Sequence, residues 1–324
     1  MQNIPPHLLS FAEPQQVLSG GFVQLIGVFG DDNTIVNAAR ISFGRKAEEF
    51  TNMSNRHLLR YLLRGRHSTP FEMCEIMLRI RMPMDAHRQQ IRHRTANVNE
   101  YSTRYKPAID SCEVTDPEAW RSQSKDNKQG SSGFVEGFPE DFAFPEGAVP
   151  SEDAGTYLSQ REAELQKFAR EVYEERLAFG VAREQARKDL PLSTHTEYIW
   201  KMDLHNLLHY LGLRLDPHAQ LEIRAYAEAI ANIVKAWLPW TWEAFEDYRL
   251  NAMYLTRFDV EALQAYFQKT MPQFDAVLDQ TSAIDFMVAE SGLKPTGREA
   301  GDLRKKLGRL IRPEPGAVLV KPSE

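Results

Sequence analysis

Residues 71–81 read FEMCEIMLRIR, and their alternation decides the fold. Cys74, Ile76, Leu78 and Ile80 fall on one face of an extended chain, with Glu75, Met77, Arg79 and Arg81 on the other. A period of two over this length predicts a half-buried strand. Cys74 lies on the apolar face, so it reads as a structural thiol rather than a nucleophile. Upstream, residues 21–29 (GFVQLIGVF) predict a second strand, and Asp31 and Asp32 open a helix over 33–40 that ISFG closes. Residues 53–65 (MSNRHLLRYLLRG) predict an amphipathic helix with Leu58, Leu59, Leu62 and Leu63 inward, ended by Gly65. Downstream, Pro83 and Asp85 start a helix over 85–94, followed by an extended polar stretch to Tyr105. Thr156 caps a long helix to about Phe179 with Gly180 as its stop, and a shorter helix over 182–189 runs into Pro191. Helices over 203–214 and 217–237 follow, the second begun by Asp216 and Pro217. Residues 250–324 add about three more, the last one basic (REAGDLRKKLGRLIR), and no internal repeat is present.

The chain has 324 residues, 42% hydrophobic and 26% charged, enough to bury a sizeable core. No stretch approaches the ~18 apolar residues of a membrane helix. The start, MQNIPPHLLS, lacks the basic-then-apolar layout of a secretory signal. Two cysteines, Cys74 and Cys112, make no disulfide framework, so a cytoplasmic enzyme is expected. A net charge of −6 argues against general nucleic-acid binding. That charge is unevenly placed. Residues 107–155 carry 11 acids against three bases, a net of −8, so the remainder is mildly positive at +2. The same segment is rich in Gly, Pro and Ser and shows no period, which predicts a long, partly mobile surface insertion. Its four Phe and one Trp allow part of it to pack on the body. A positive body suits anionic ligands.

Two clusters could carry chemistry. In DAHRQQIRHRTANVNEYSTRY (85–105), Arg88 and Arg92 stand four apart on the predicted helix, and Arg92, His93 and Arg94 are consecutive. Like charges at that spacing cost a few tenths of a kcal/mol each. The crowding is rational if an oxyanion sits between guanidinium groups, which grip it bidentately, and a solvated basic face is the alternative. Asn99, Glu100 and Ser102 supply the donors and acceptors that a base or sugar needs. In DLHNLLHYLGLR (203–214), Leu204, Leu207, Leu208, Leu211 and Leu215 form an apolar stripe. His205 and His209 form a second stripe, and Asp203, Asn206, Tyr210 and Arg214 a third. The two histidines resemble a zinc pair in spacing, but no glutamate follows His205 as HExxH requires, so no metal site is expected. His67-Ser68-Thr69-Pro70 is a turn in which Pro70 favours an extended Thr69. No nucleophile elbow, GxGxxG or P-loop occurs.

Arg92-His93-Arg94, seven residues, then Ser102-x-Arg104 resembles the signature of the flavin-dependent thymidylate synthases, inner Asn99-Glu100 included. The likeness extends to His67-x-Thr69-Pro70-Phe71-Glu72, Ala39-Arg40-Ile41-Ser42 and Ala186-Arg187-x-x-Leu190-Pro191. It is strong again in Leu213-Arg214-x-Asp216-x-His218-Ala219-Gln220-x-Glu222-Ile223, all collinear over roughly 21–249. The resemblance implies an α+β fold, helices on a mostly antiparallel sheet, and a homotetramer with active sites at subunit junctions. It implies conversion of dUMP to dTMP, with methylenetetrahydrofolate giving the carbon and NADPH-reduced FAD the hydride. By position, Gln89, Arg92, Glu100, Tyr101, Ser102, Thr103, Arg104 and Arg187 would hold dUMP. His67, Thr69, Arg92, His93, Arg94, Glu100, Asp203, Leu204, His205 and His209 would hold FAD. Arg214 would meet the uracil and act as the catalytic residue, stabilising negative charge, because an arginine is no base at neutral pH.

Four departures from the family pattern stand out: Asn97 for serine, and Asp203, His205 and His209 where Asn, Arg and Asn are common. The resemblance implies a synthase domain over 1–250 and leaves 251–324 as a helical extension of unknown role. A non-catalytic nucleotide- or RNA-binding homologue using the same arginines is the alternative reading, and a His205/His209 metal hydrolase a more distant one.

Overall fold

The structure, a computed structural model, describes residues 4–125, 130–270, 299, 301–303 and 306. Residues Met1–Asn251 form one compact unit and Ala252–Glu324 another.

The first unit is built on a five-stranded, wholly antiparallel sheet of order β1-β2-β3-β7-β4. The strands are β1 (Gln15–Val17), β2 (Gly21–Phe29), β3 (Glu75–Pro83), β4 (Asn97–Glu100) and β7 (His195–Asp203). Alternation places cross-strand rows on one face: Val23–Ile80–Tyr198, Leu25–Leu78–Trp200 and Ile76–Met202, all buried. Helices α4 (Met84–Gln90), α7 (Leu204–Arg214) and α8 (Leu221–Trp237) pack on the sheet. The opposite side carries ion pairs: Arg79 Nε donates to Glu197 Oε1 at 2.6 Å and Lys201 Nζ to Glu75 Oε1 at 2.6 Å. Helices α1 (Asp32–Arg40), α2 (Asn52–Arg64) and α9 (Pro239–Phe245) pack together, and all three contribute to the same core. The short α3 (Thr69–Glu72) lies against α7. This is the α+β arrangement expected from the resemblance.

Several boundaries differ from the sequence reading. Residues 71–73 are not strand: Pro70 sits in the first turn of α3, where no N–H donor is needed, so Thr69 is helical and not extended. The strand begins at Glu75. Helix α4 stops at Gln90 rather than continuing to residue 94, so Arg88 and Arg92 share no helical face. The chain turns there because Ile91 N donates to His87 O and His93 N to Gln90 O, both at 3.0 Å. Asp153, not Thr156, caps α5 (Ala154–Ala178), its carboxylate accepting from Thr156 N at 2.6 Å. The expected helix over 182–189 is one α-turn, α6 (Arg183–Ala186), followed by a 3-10 turn, Arg187–Asp189. Asp216 and Pro217 do not start α8: Asp216 Oδ1 takes His218 N at 2.8 Å, and this local turn delays the helix to Leu221. Strand β7 has no counterpart in the sequence reading.

The acidic 107–155 segment is not free of strand. It forms a hairpin, β5 (Arg121–Gln123) with β6 (Ser131–Phe134), tied to α8 by Arg121 Nη2–Glu222 Oε1 at 2.8 Å. Its Trp120 Nε1 donates to Ser159 on α5 at 2.9 Å, and Phe138, Phe142 and Phe144 cluster around Tyr157. In the second unit, α10 (Arg257–Thr270) is described. The basic last helix expected over 298–312 lies largely outside the described residues.

Candidate active site

The turn after β4 and the 3-10 turn after α6 meet at the start of β7 and enclose a cavity of about 480 Å³. Its wall holds Arg88, Arg104, Arg187 and Lys188 against the single carboxylate of Glu100. Ser102, which carries the turn, accepts the backbone N–H of Tyr105 at 3.1 Å and of Lys106 at 3.2 Å through its carbonyl. Tyr101 anchors this turn to β7, its N donating to Glu197 O and its hydroxyl to Pro107 O, both at 2.8 Å. Arg187 Nη1 donates to Thr103 Oγ1, which aims the guanidinium into the cavity wall. Glu100 is held by Thr196 Oγ1 at 2.6 Å and lies 3.8 Å from His87 Nδ1. Burial pushes the His87 pKa down, opposed by the Glu100 charge.

A second group forms around the end of α7. Arg214 Nε donates to His93 Nε2 at 3.2 Å, and Nη2 reaches Gln89 O at 3.5 Å. Burial, with the neighbouring Arg214 charge and His209, lowers the His93 pKa to about 4, so the ring is neutral around pH 7. The His209 ring stands 6.0 Å from His93. Helix α4 joins the two groups: Arg88 lines the cavity, while the next carbonyl, of Gln89, faces Arg214. The Gln89 side chain donates to Gln220 Oε1, downstream of α7.

The remaining expected residues lie elsewhere. Thr69 and His67 precede β3, and Asp203 ends β7 with Leu204 and His205 after it, so these two segments sit together at the far end of the sheet. Asp203 caps α7, accepting from Asn206 N at 2.9 Å and from its Nδ2 at 2.7 Å. Leu204 is wholly buried, and its N–H donates to Cys74 O at 2.9 Å. Tyr210, read as part of a polar stripe, is wholly buried instead. Arg92 and Arg94 are exposed in the turn after α4. Among the described residues no group of three His, Cys, Asp or Glu side chains could hold a metal ion. Cys74 is buried beside Asp31 and Asp32, and its thiol is pushed up to about 12.

Arg88, read from the sequence as part of the oxyanion-binding cluster, does line the cavity, whereas Lys188, His195 and Thr196 were missed. Lys188 follows Arg187 and could have been included on adjacency. His195 and Thr196 went unseen with their strand, although Thr196, Tyr198, Trp200 and Met202 alternate with Glu197, Ile199 and Lys201.

The fold is that of solved pyrimidine-nucleotide methylases. The chain is similar to the UMP/dUMP methylase PolB from Streptomyces cacaoi bound with 5-Br dUMP, at a TM-score of 0.62 and 29% identity, covering 73% of this chain and 99% of that one. Residues 24–240 match the family model described as thymidylate synthase complementing protein. The flavin-dependent thymidylate synthase of Rickettsia conorii is 44% identical over 256 residues, 78% of this chain and 84% of that one. The enzyme of the same description from Thermus thermophilus is 45% identical over 248 residues, 76% of this chain and 84% of that one. The chain belongs to the flavin-dependent thymidylate synthases and is a methyltransferase.

Proposed function

We propose that this chain converts dUMP to dTMP in the cytoplasm, with methylenetetrahydrofolate as carbon donor and FAD, reduced by NADPH, as hydride donor. The observation that carries this reading is a contrast among arginines. Arg56, Arg60, Arg79, Arg81, Arg121, Arg170 and Arg176 each pair with a carboxylate. Arg88, Arg92, Arg94, Arg104, Arg187 and Arg214 have no carboxylate partner among the described residues. Guanidinium groups left unpaired in one region await an anion. A nucleotide phosphate, carrying nearly two charges near neutral pH, suits the Arg104–Arg187 wall of the cavity, with Ser102 as a further donor. Glu100, held by Thr196, accepts from the sugar or base, and Gln89 and Arg92 complete the nucleotide site.

The donor set also fits FAD. Arg92 and Arg94 are free to grip its pyrophosphate, and His67, Thr69, Glu100, the 203–205 segment and His209 supply the contacts around it. The His93 ring, in contrast, is engaged with Arg214. At the start of α7 the N–H of Asn206 is already taken by the Asp203 carboxylate, which leaves the arginine side chains as the donors suited to the phosphates. Bound FAD supplies the hydride that completes the methyl group. Arg214 stabilises negative charge as it develops on the uracil.

Distance supports assembly into a homotetramer with shared sites. The cavity lies at the start of β7 and the Thr69/Asp203 group at its end, nine residues of strand. At about 3.3 Å per step that is roughly 26 Å. Glu100 lines the cavity whereas His67, Thr69 and residues 203–205 lie at the far end, so a flavin contacting both sets would draw them from different subunits. Purified protein should show flavin absorbance and form dTMP from dUMP only with NADPH and the folate. Colourless protein that takes up no added FAD sinks the reading.

A further inference from the structure

We propose that His93 is a positioning residue for Arg214, serving as a neutral hydrogen-bond acceptor that aims the guanidinium without neutralising it. The proposal rests on the catalytic role of Arg214 given above and assigns His93 a task distinct from flavin binding.

The geometry is specific. Arg214 Nε donates to His93 Nε2 at 3.2 Å, so the imidazole carries its own proton on Nδ1. The second contact of the guanidinium is also neutral, the Gln89 carbonyl at 3.5 Å. The imidazole is fixed on its other sides. Its ring meets Tyr210 edge-on at 4.9 Å and 85°, and Tyr210 meets Trp200 at 5.1 Å and 75°. Tyr210 and Trp200 are buried in the core, and the backbone of His93 is tied by its own N–H to Gln90 O at 3.0 Å. A ladder of packed rings therefore runs from the sheet to the guanidinium.

The chemistry explains the choice of acceptor. A carboxylate at this place would orient Arg214 equally well but would absorb its charge. The field offered to a developing uracil anion would then be weaker. A protonated imidazole could not accept at all. Only a neutral acceptor both orients the guanidinium and leaves its charge available.

Three substitutions separate these cases in the full-length flavoprotein. His93→Phe keeps a ring but removes the acceptor, and kcat should fall roughly 10- to 100-fold, the cost of a misplaced catalytic group. Flavin content, dUMP affinity and melting temperature should hold. His93→Gln restores a neutral acceptor and should recover most of the lost kcat. His93→Glu keeps an acceptor but quenches the charge and should remain slow. In an Arg214→Ala background, His93→Phe should cost little more, since the two residues act as one unit. Loss of flavin or of dUMP binding in His93→Phe, additive losses with Arg214→Ala, or a fast His93→Glu enzyme would overturn the proposal. Nitrogen-15 NMR of histidine-labelled protein tests it without turnover: His93 should be neutral with the proton on Nδ1 at about pH 6, half a unit below an ordinary histidine. A cationic ring there, or a proton on Nε2, would also overturn it. An inactive but correctly protonated wild-type protein would instead count against the assigned reaction alone.

Discussion

Arg104 and Arg214 have different neighbours and should fail differently. Arg104 stands over the Tyr105 ring at 5.7 Å on the cavity wall, where a phosphate is expected. Arg104→Ala should weaken dUMP binding by about 10- to 100-fold, the loss of one charge-assisted contact, with kcat nearly kept. Arg214→Ala should lower kcat by roughly 100- to 1000-fold with dUMP affinity little changed. Steady-state kinetics alongside calorimetric dUMP titration separates the two, and equal effects on both parameters would contradict the assignment. At this scale the sequence revealed residue types but not their partners. The motif shows Arg92-His93-Arg94 as three consecutive cations, whereas in the fold His93 is neutral and faces inward while its neighbours face solvent. Nothing local distinguishes them, because the packing of Tyr210 and Trp200, more than a hundred residues away, sets the difference.

Close backbone approaches fix how some elements pack. Gly155, in the first turn of α5, faces the 3-10 turn Pro117–Ala119 of the acidic segment, and a Cβ there would lie 2.1 Å from Pro117 O. Alanine favours a helix over glycine by about 1 kcal/mol, so propensity alone predicts stabilisation. Gly155→Ala should instead destabilise, by about 1–3 kcal/mol as for other overpacked sites. The shift of the urea midpoint gives the sign directly. Asp32 shows a similar division between local and distant causes. The sequence reads it as opening α1, and it does lie in the first turn. Its carboxylate, however, caps α9, accepting from Trp240 N at 2.9 Å, Thr241 N at 3.1 Å and Thr241 Oγ1 at 2.7 Å. Burial raises its pKa despite those bonds.

For the whole molecule, two consequences follow from assembly and from buried histidines. If the sites are shared as proposed, the homotetramer is the active species. Light scattering with activity measured across a dilution series should show both falling together, and full activity in a monomer would refute shared sites. The lowered pKa values of His87 and His93 make stability pH-dependent. Unfolded histidines take protons near pH 6.5, about their ordinary value. In the folded chain His93 resists protonation down to about 4. The unfolded state thus binds more protons across that window, and stability falls as pH drops through it. Asp32 and Asp85, raised by burial, act in the opposite direction. Denaturation midpoints at pH 7 and 5 should therefore show a smaller acid loss for His93→Gln than for the wild type.

By itself the sequence determined the strands at 21–29 and near 71–81, the long helices, and the family, because side-chain period and motif spacing are local properties of the chain. It also showed an arginine-rich stretch short of acids, for which an anionic ligand and a solvated face were both open readings. Only the tertiary structure decided which arginines line the cavity and that β7 runs between β3 and β4 with the cavity at its start. These depend on contacts between segments far apart in the chain. Pairing of β7 with both β3 and β4, and the packing of α7 across it, bring together residues whose sequence neighbourhoods carry no record of one another.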